Sequence, residues 1–162
     1  MTMLRLICEV LAAGIGTVAF ALIFHVPSAY YWRCGVTGSA GWLVYSLCLP
    51  MFHALPAMFA ATFAVVCISR FSAVQMRCPA TIFLIAGIFP LVPGLGIYRT
   101  AYALVTNDTS SAGDIGLTTL KTAIFMVLAI LLGLELPSGL FRKLANADTD
   151  SAKITTNKTK NR

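Results

Sequence analysis

Apolar residues fall in five long runs separated by short polar interruptions. The first runs from about Leu4 to Phe24 and stops at His25-Val26-Pro27-Ser28, because proline biases the residue before it out of the helical region. Tyr30, Tyr31 and Trp32 beside Arg33 read as an interfacial belt. The second run spans Cys34 to about Phe52, and its Gly35, Gly38 and Gly41, three apart, predict a side-chain-free strip that lets another helix approach closely. After a tight hairpin at His53-Ala54-Leu55-Pro56, a third run extends from about Ala57 to Ser69, short for a full crossing, and Arg70 ends it. Cys78-Pro79 opens a fourth from Ala80 to Tyr98, with proline near the first helical turn where its missing N–H costs little. A polar loop with Asn107, Asp108, Ser110 and Ser111 precedes the fifth run, from about Asp114 or Ile115 to Leu136.

Runs of this length predict transmembrane helices, each needing about 20 apolar residues. Composition agrees. Of 162 residues 58% are apolar and 11% charged, with a mean hydropathy of +0.82, too few charges to wet the surface of a soluble globule. The chain is therefore read as all-α and polytopic, with about five transmembrane helices over residues 1–136 and a polar basic tail over 137–162. The N-terminal run has some look of a secretory signal. It is read as an uncleaved span because it is long, carries Glu9 and is followed by further spans.

The formal charge of +6 sits mostly in the tail, where Arg142, Lys143, Lys153, Lys158, Lys160 and Arg162 face only Asp148 and Asp150. Without interleaved aromatics this is a topology signal and a contact for anionic headgroups, not a nucleic-acid site. With five crossings the tail shares a side with Arg33, Arg70 and Arg77, against Arg5 and Arg99 opposite, so the C-terminus is expected in the cytoplasm and the N-terminus outside. A re-entrant third or fourth segment would change that parity. Cys8, Cys34, Cys48, Cys67 and Cys78 show neither a disulfide framework nor zinc spacing and read as packing residues. His25 and His53 have no second ligand at metal spacing, so no metal or cofactor is expected. Nucleophile elbow, P-loop and dinucleotide fingerprints are absent, and the chain is not read as an enzyme.

Candidate chemistry centres on the run Gly87 to Gly96. Pro90 and Pro93 remove two backbone donors and clash with the carbonyls of Ala86 and Phe89, so a continuous helix is improbable. Open backbone in hydrocarbon is tolerated only against protein or a water-filled cavity, and transporters use such breaks to hold solutes. The N–H groups of Gly94, Leu95 and Gly96 are expected to form a small anion-binding nest, with glycine permitting unusual dihedrals. An ordinary kink, or an early helix end at Tyr98 and Arg99, is the plainer alternative.

Intramembrane charge is the second clue. Glu9 and Lys121 each lie roughly 8 to 9 Å inside the bilayer from the same side. A charge costs on the order of 3 kcal/mol near the bilayer centre, so both are expected to face protein or water and can pair or relay a proton. Thr118, Lys121 and Thr122 share one helix face, where two hydroxyls beside an ammonium suit a carboxylate; snorkelling of Lys121 is the simpler reading. Arg99 serves either as an interfacial anchor or as a carboxylate ligand. The candidate substrate-binding residues are thus Pro90, Pro93, Gly94, Gly96, Arg99, Thr118, Lys121 and Thr122.

The run Cys78-Pro-Ala-Thr-Ile-Phe-Leu-Ile-Ala-Gly-Ile-Phe-Pro-Leu-Val-Pro-Gly-Leu-Gly-Ile-Tyr-Arg-Thr100 resembles the signature of the threonine/serine exporter family, in its C-terminal membrane module. Phe24-His25-Val26-Pro27, and the second run from Cys34-Gly35 through Gly41-Trp42-Leu43-Val44-Tyr45, resemble the same module, over about residues 10 to 135. His25 stands where asparagine is expected in that turn. The resemblance implies a secondary exporter in a bacterial inner membrane, driven by the membrane potential or a proton gradient, with a larger membrane subunit as partner. It implies L-threonine and L-serine as substrates, with succinate for some two-subunit members. Two other readings stay open: a non-transporting scaffold, and an intramembrane enzyme, for which no nucleophile and base pair is visible.

Overall fold

The computed structural model describes residues 3–137 and is helical throughout, in the order α1 (Met3–Ile23), α2 (Tyr31–Cys48), α3 (Ala54–Met76), α4 (Thr81–Ile88), α5 (Gly94–Val105) and α6 (Thr109–Glu135). Single 3-10 turns at Ser28–Tyr30 and Phe89–Leu91 lead into α2 and out of α4. The basic tail lies outside the described residues.

Helices α1, α3 and α6 are each long and apolar enough to cross a membrane, and the α4–α5 pair, bent by 51°, supplies a fourth crossing when taken as one broken span. Helix α2 is less apolar for a physical reason. It packs against α1, α3 and α4, so Thr37 and Ser46 face protein rather than lipid.

The glycine strip is divided between two neighbours. A Cβ on Gly38 would overlap the Thr17 hydroxyl of α1, and one on Gly35 would lie 3.1 Å from Val18 Cγ2, whereas a Cβ on Gly41 would overlap Val65 of α3. On the same α1–α2 seam, Ser39 Oγ donates to the carbonyl of Val10 at 3.1 Å. Gly87 of α4 closes on the centre as well, with Thr37 Cγ2 at 2.7 Å from an added Cβ and Val65 Cγ1 at 3.3 Å. Around these contacts lies the core of Met58, Ala61, Val65, Val66, Leu84, Leu91 and Met126.

The third span is not short. Helix α3 starts at Ala54, where Pro56 falls among the first-turn positions whose N–H has no helical acceptor, and it runs unbroken through Arg70 to Met76. Arg70 does not end it because its guanidinium donates to the carbonyls of Gly133 (2.9 Å) and Leu134 (2.5 Å), two of the unpaired acceptors at the end of α6. A cation at that pole also opposes the helix dipole. Replacing Arg70 by methionine should keep the packing and lower stability by about 1–3 kcal/mol, read as a reduced unfolding midpoint in detergent; an unchanged midpoint would show the tie to be idle.

The interfacial belt is narrower than expected. Tyr30 and Tyr31 pack on the cluster around Phe83, with Tyr30 edge-on to that ring at 5.7 Å, and only Trp32 stands exposed. Helix α6 begins at Thr109, ahead of the expected start, because Asp108 caps it and accepts from Ser111 N–H (3.2 Å) and Ser110 Oγ (3.0 Å). Hydrogen bonds from the Ser111 hydroxyl, the Ser111 amide and the Ser110 hydroxyl hold that carboxyl below its usual range. Three helices end through a left-handed residue, His25 (φ 54), Arg77 (φ 53) and Asn107 (φ 59). At each, the following amide reaches back five residues, as in Val26 N–H to Ala21 O at 3.0 Å. His25 thus occupies a conformation that favours asparagine, which accounts for the residue expected in that turn.

Candidate functional site

The break in the fourth span is built by its prolines in sequence. Helix α4 ends at Ile88, and the 3-10 turn closes with Val92 N–H on Phe89 O at 3.2 Å. Val92, held extended by the proline after it, has φ −58 and ψ 129. Pro93 (φ −75, ψ 51) then centres an inverse γ-turn in which Gly94 N–H donates to Val92 O at 2.7 Å. Upstream the break is anchored: Phe89 stacks on Phe20 with ring centroids 3.9 Å apart and meets Phe24 at 5.4 Å, while Leu91 is buried in the core.

The expected glycine nest does not form. The Gly94 amide is engaged by Val92, and no described glycine has a positive φ. Nothing lies within 4 Å of a Cβ built on Gly94. Gly96 is required for a different reason, since a Cβ there would overlap Thr119 Oγ1 of α6. Helix α5 also continues past Tyr98 and Arg99 to Val105, so the interface does not end it.

Chain reversal at Thr106-Asn107-Asp108 lays α5 antiparallel on the N-terminal half of α6, with Gly96 opposite Thr119 and Thr100 opposite Gly116. Between them runs an open groove of about 380 Å3 lined by Leu95, Gly96, Arg99, Asp114, Thr118 and Thr119, with Ile115 beside them. Of the residues singled out in the sequence, the groove gathers Gly96, Arg99 and Thr118. Pro90, Pro93 and Gly94 lie at or below the break, and Lys121 and Thr122 stand a turn further along α6. Asp114 and Thr119 were missed. The signal that would have found them is the hairpin register, because an antiparallel pair reversing near Asn107 brings residue 99 within a turn of 114 and 119.

The groove carries both signs. Arg99 and Asp114 are exposed, and no ion pair joins them among the described residues. The guanidinium offers planar donors to a carboxylate, and the Asp114 carboxylate offers acceptors to an ammonium. The hydroxyls of Thr118, Thr119 and Thr122 donate to the carbonyls of Asp114 (2.9 Å), Ile115 (2.8 Å) and Thr118 (3.0 Å). With their protons held by the helix, these oxygens turn lone pairs outward. They suit N–H or O–H donors, not the carboxylate expected beside Lys121.

Glu9 and Lys121 do not meet. Glu9 pairs with Arg5 Nε at 2.9 Å and accepts from Trp42 Nε1 at 3.5 Å, so its partners come from its own helix and from α2. Lys121 is exposed on α6.

Several apolar helices, with one span broken by prolines beside a groove that carries Arg99 and Asp114, define a polytopic α-helical membrane protein. The sequence profile described as Threonine/Serine exporter, ThrE, matches residues 9–137, and the chain belongs to that family. It is 29% identical over 147 residues to an uncharacterized protein of Haemophilus influenzae, a match covering 86% of this chain and 48% of that one. A probable threonine/serine exporter of Mycobacterium tuberculosis is 28% identical over 128 residues (78% and 24%), and a threonine/serine exporter of Corynebacterium glutamicum 28% over 136 residues (84% and 27%). The chain thus spans between a quarter and half of these relatives' lengths. No solved structure matches it.

Proposed function

We propose that this chain is one membrane part of a secondary-active exporter of small α-amino acids, L-threonine and L-serine, completed by a larger membrane subunit of the same family. The observation that carries the reading is the groove between α5 and α6, where Arg99 and Asp114, a cation and an anion not joined in an ion pair among the described residues, line one surface with the hydroxyls of Thr118 and Thr119. A zwitterion satisfies both at once. A dicarboxylate such as succinate would pair with Arg99 and meet the like charge of Asp114, which disfavours it. The names of the Mycobacterium and Corynebacterium relatives support threonine and serine.

In this reading α2 and the bent α4–α5 span both cross, giving five crossings of a bacterial inner membrane. The end bearing Arg33, Arg70 and Arg77 faces the cytoplasm and the N-terminus lies outside. The groove then opens in the outer half of the bilayer, where solute leaves.

Efflux from preloaded cells tests the proposal. Cells expressing this chain together with a larger family subunit should lose threonine and serine at least about tenfold faster than cells expressing either chain alone, and should retain succinate. Equal efflux from the larger subunit alone would make this chain a scaffold. Succinate export without threonine export would overturn the substrate assignment.

A further inference from the structure

We propose that the hairpin formed by α5 and the first half of α6 is a rigid arm that swings as a unit, on an axis through the Val92–Pro93 turn and the Thr118–Thr122 stretch. The motion is independent of which solute the groove binds.

Rigidity within the arm follows from its seam. Gly96 is closed on Thr119, a Cβ on Gly116 would stand 3.1 Å from Thr100 Cγ2, and Ala103 and Ala112 are buried. Its tip is tied by Asp108 N–H to Ala103 O at 2.9 Å and by the Asp108 cap. Among the described residues α5 packs mainly on α6, whereas α1 to α4 pack on one another and α6 packs on α3, so α5 reaches the rest of the protein chiefly through α6.

The body on the other side of the axis is fixed. Phe89 is clamped by Phe20 and Phe24, and Leu91 is buried. On α6, Met126, Ala129 and Gly133 are buried, a Cβ on Gly133 would lie 2.7 Å from Val66 Cγ1, and Arg70 holds the last carbonyls.

Between arm and body both legs are soft. The α5 leg is the inverse γ-turn at Pro93, which interrupts the helical ladder. The α6 leg holds three threonines within five residues, 118, 119 and 122, that each hydrogen-bond the carbonyl four residues back; one such bond, as at Thr17, Thr37 or Thr100, weakens a helix only slightly, but here three fall within about one turn. Pairing of Gly96 with Thr119 fixes the register, and one turn further it sets Pro93 level with Thr122. Two soft points at the same level make a hinge axis, whereas a single one would be only a kink.

The arm, twelve residues of α5, is about 18 Å long, so a rotation of roughly 20° carries its tip about 6 Å. The test uses the full chain with its five cysteines replaced, in lipid nanodiscs. Nitroxide labels at Leu11→Cys and Ser110→Cys report body to tip, and labels at Leu11→Cys and Leu128→Cys report body to body by pulsed electron resonance. The body-to-tip distribution should be about 5 Å wider than the body-to-body one. Replacing Thr118, Thr119 and Thr122 together by valine, which keeps the branched shape and removes the back-bonds, should narrow it. Pro93→Ala, or the milder Thr122→Val alone, should do so independently. Equal widths for the two wild-type pairs, a comparison that needs no stiffening variant, would overturn the proposal. So would a wide tip distribution that none of the stiffened variants narrows, because the axis would then lie elsewhere.

Discussion

Replacing Asp114 by asparagine is expected to cut threonine and serine efflux between about tenfold and a hundredfold, while succinate efflux stays low or rises. The substitution keeps the shape of the side chain and removes its charge. A hydrogen bond to a charged group is worth about 1.5–3 kcal/mol, and each 1.4 kcal/mol is a factor of ten. Succinate moves the other way because the repelling carboxylate is gone. Arg99→Gln supplies the contrast: it removes the donor that every candidate solute needs, so efflux of threonine and serine should fall together with no gain for succinate. Threonine efflux at the wild-type rate in the Asp114→Asn protein would detach the groove from transport.

The second large effect concerns packing. Gly87→Leu should lower stability by about 3 kcal/mol, because the new side chain enters a space already bounded by Thr37 Cγ2 and Val65 Cγ1. Val65→Ala opens that space, so the double variant should recover part of the loss, with a coupling of about 1–2 kcal/mol between the two sites. Gly94→Leu is the matched control. Nothing surrounds a Cβ there, and its unfolding midpoint should stay near that of the parent. Equal losses at Gly87 and Gly94 would show that helix propensity, not close approach, governs these glycines. Thermal unfolding followed by size-exclusion chromatography distinguishes the outcomes.

The helix break and the close approaches were legible in the sequence; facing was not. Pro90 and Pro93 announced a break because their effect is local and covalent, and Gly35, Gly38 and Gly41 announced close approach because absent side chains do so wherever they point. Which way a helix turns is harder to read in lipid, since core and acyl chains are equally apolar and amphipathic periodicity fades. Arg70 shows the consequence. Taken alone it looked like a helix end, but its acceptors lie 63 and 64 residues away, and with them it belongs inside a span. Glu9 and Lys121 were matched by depth and proved to have different surroundings, with the Glu9 partner only four residues distant. Asp114 escaped notice because a carboxylate near a helix start looks like a cap. The actual cap is Asp108, and Asp114 comes to share a groove with Arg99 only once the hairpin has closed.

The long separation between Arg70 and its acceptors also orders the chain's biogenesis. A ribosome feeding this polypeptide into the membrane releases α3 well before the carbonyls of Gly133 and Leu134 exist, so these two hydrogen bonds can form only after the last span has followed. Arrival of the last span completes the tie, so the final helix locks onto a third one laid down some sixty residues earlier.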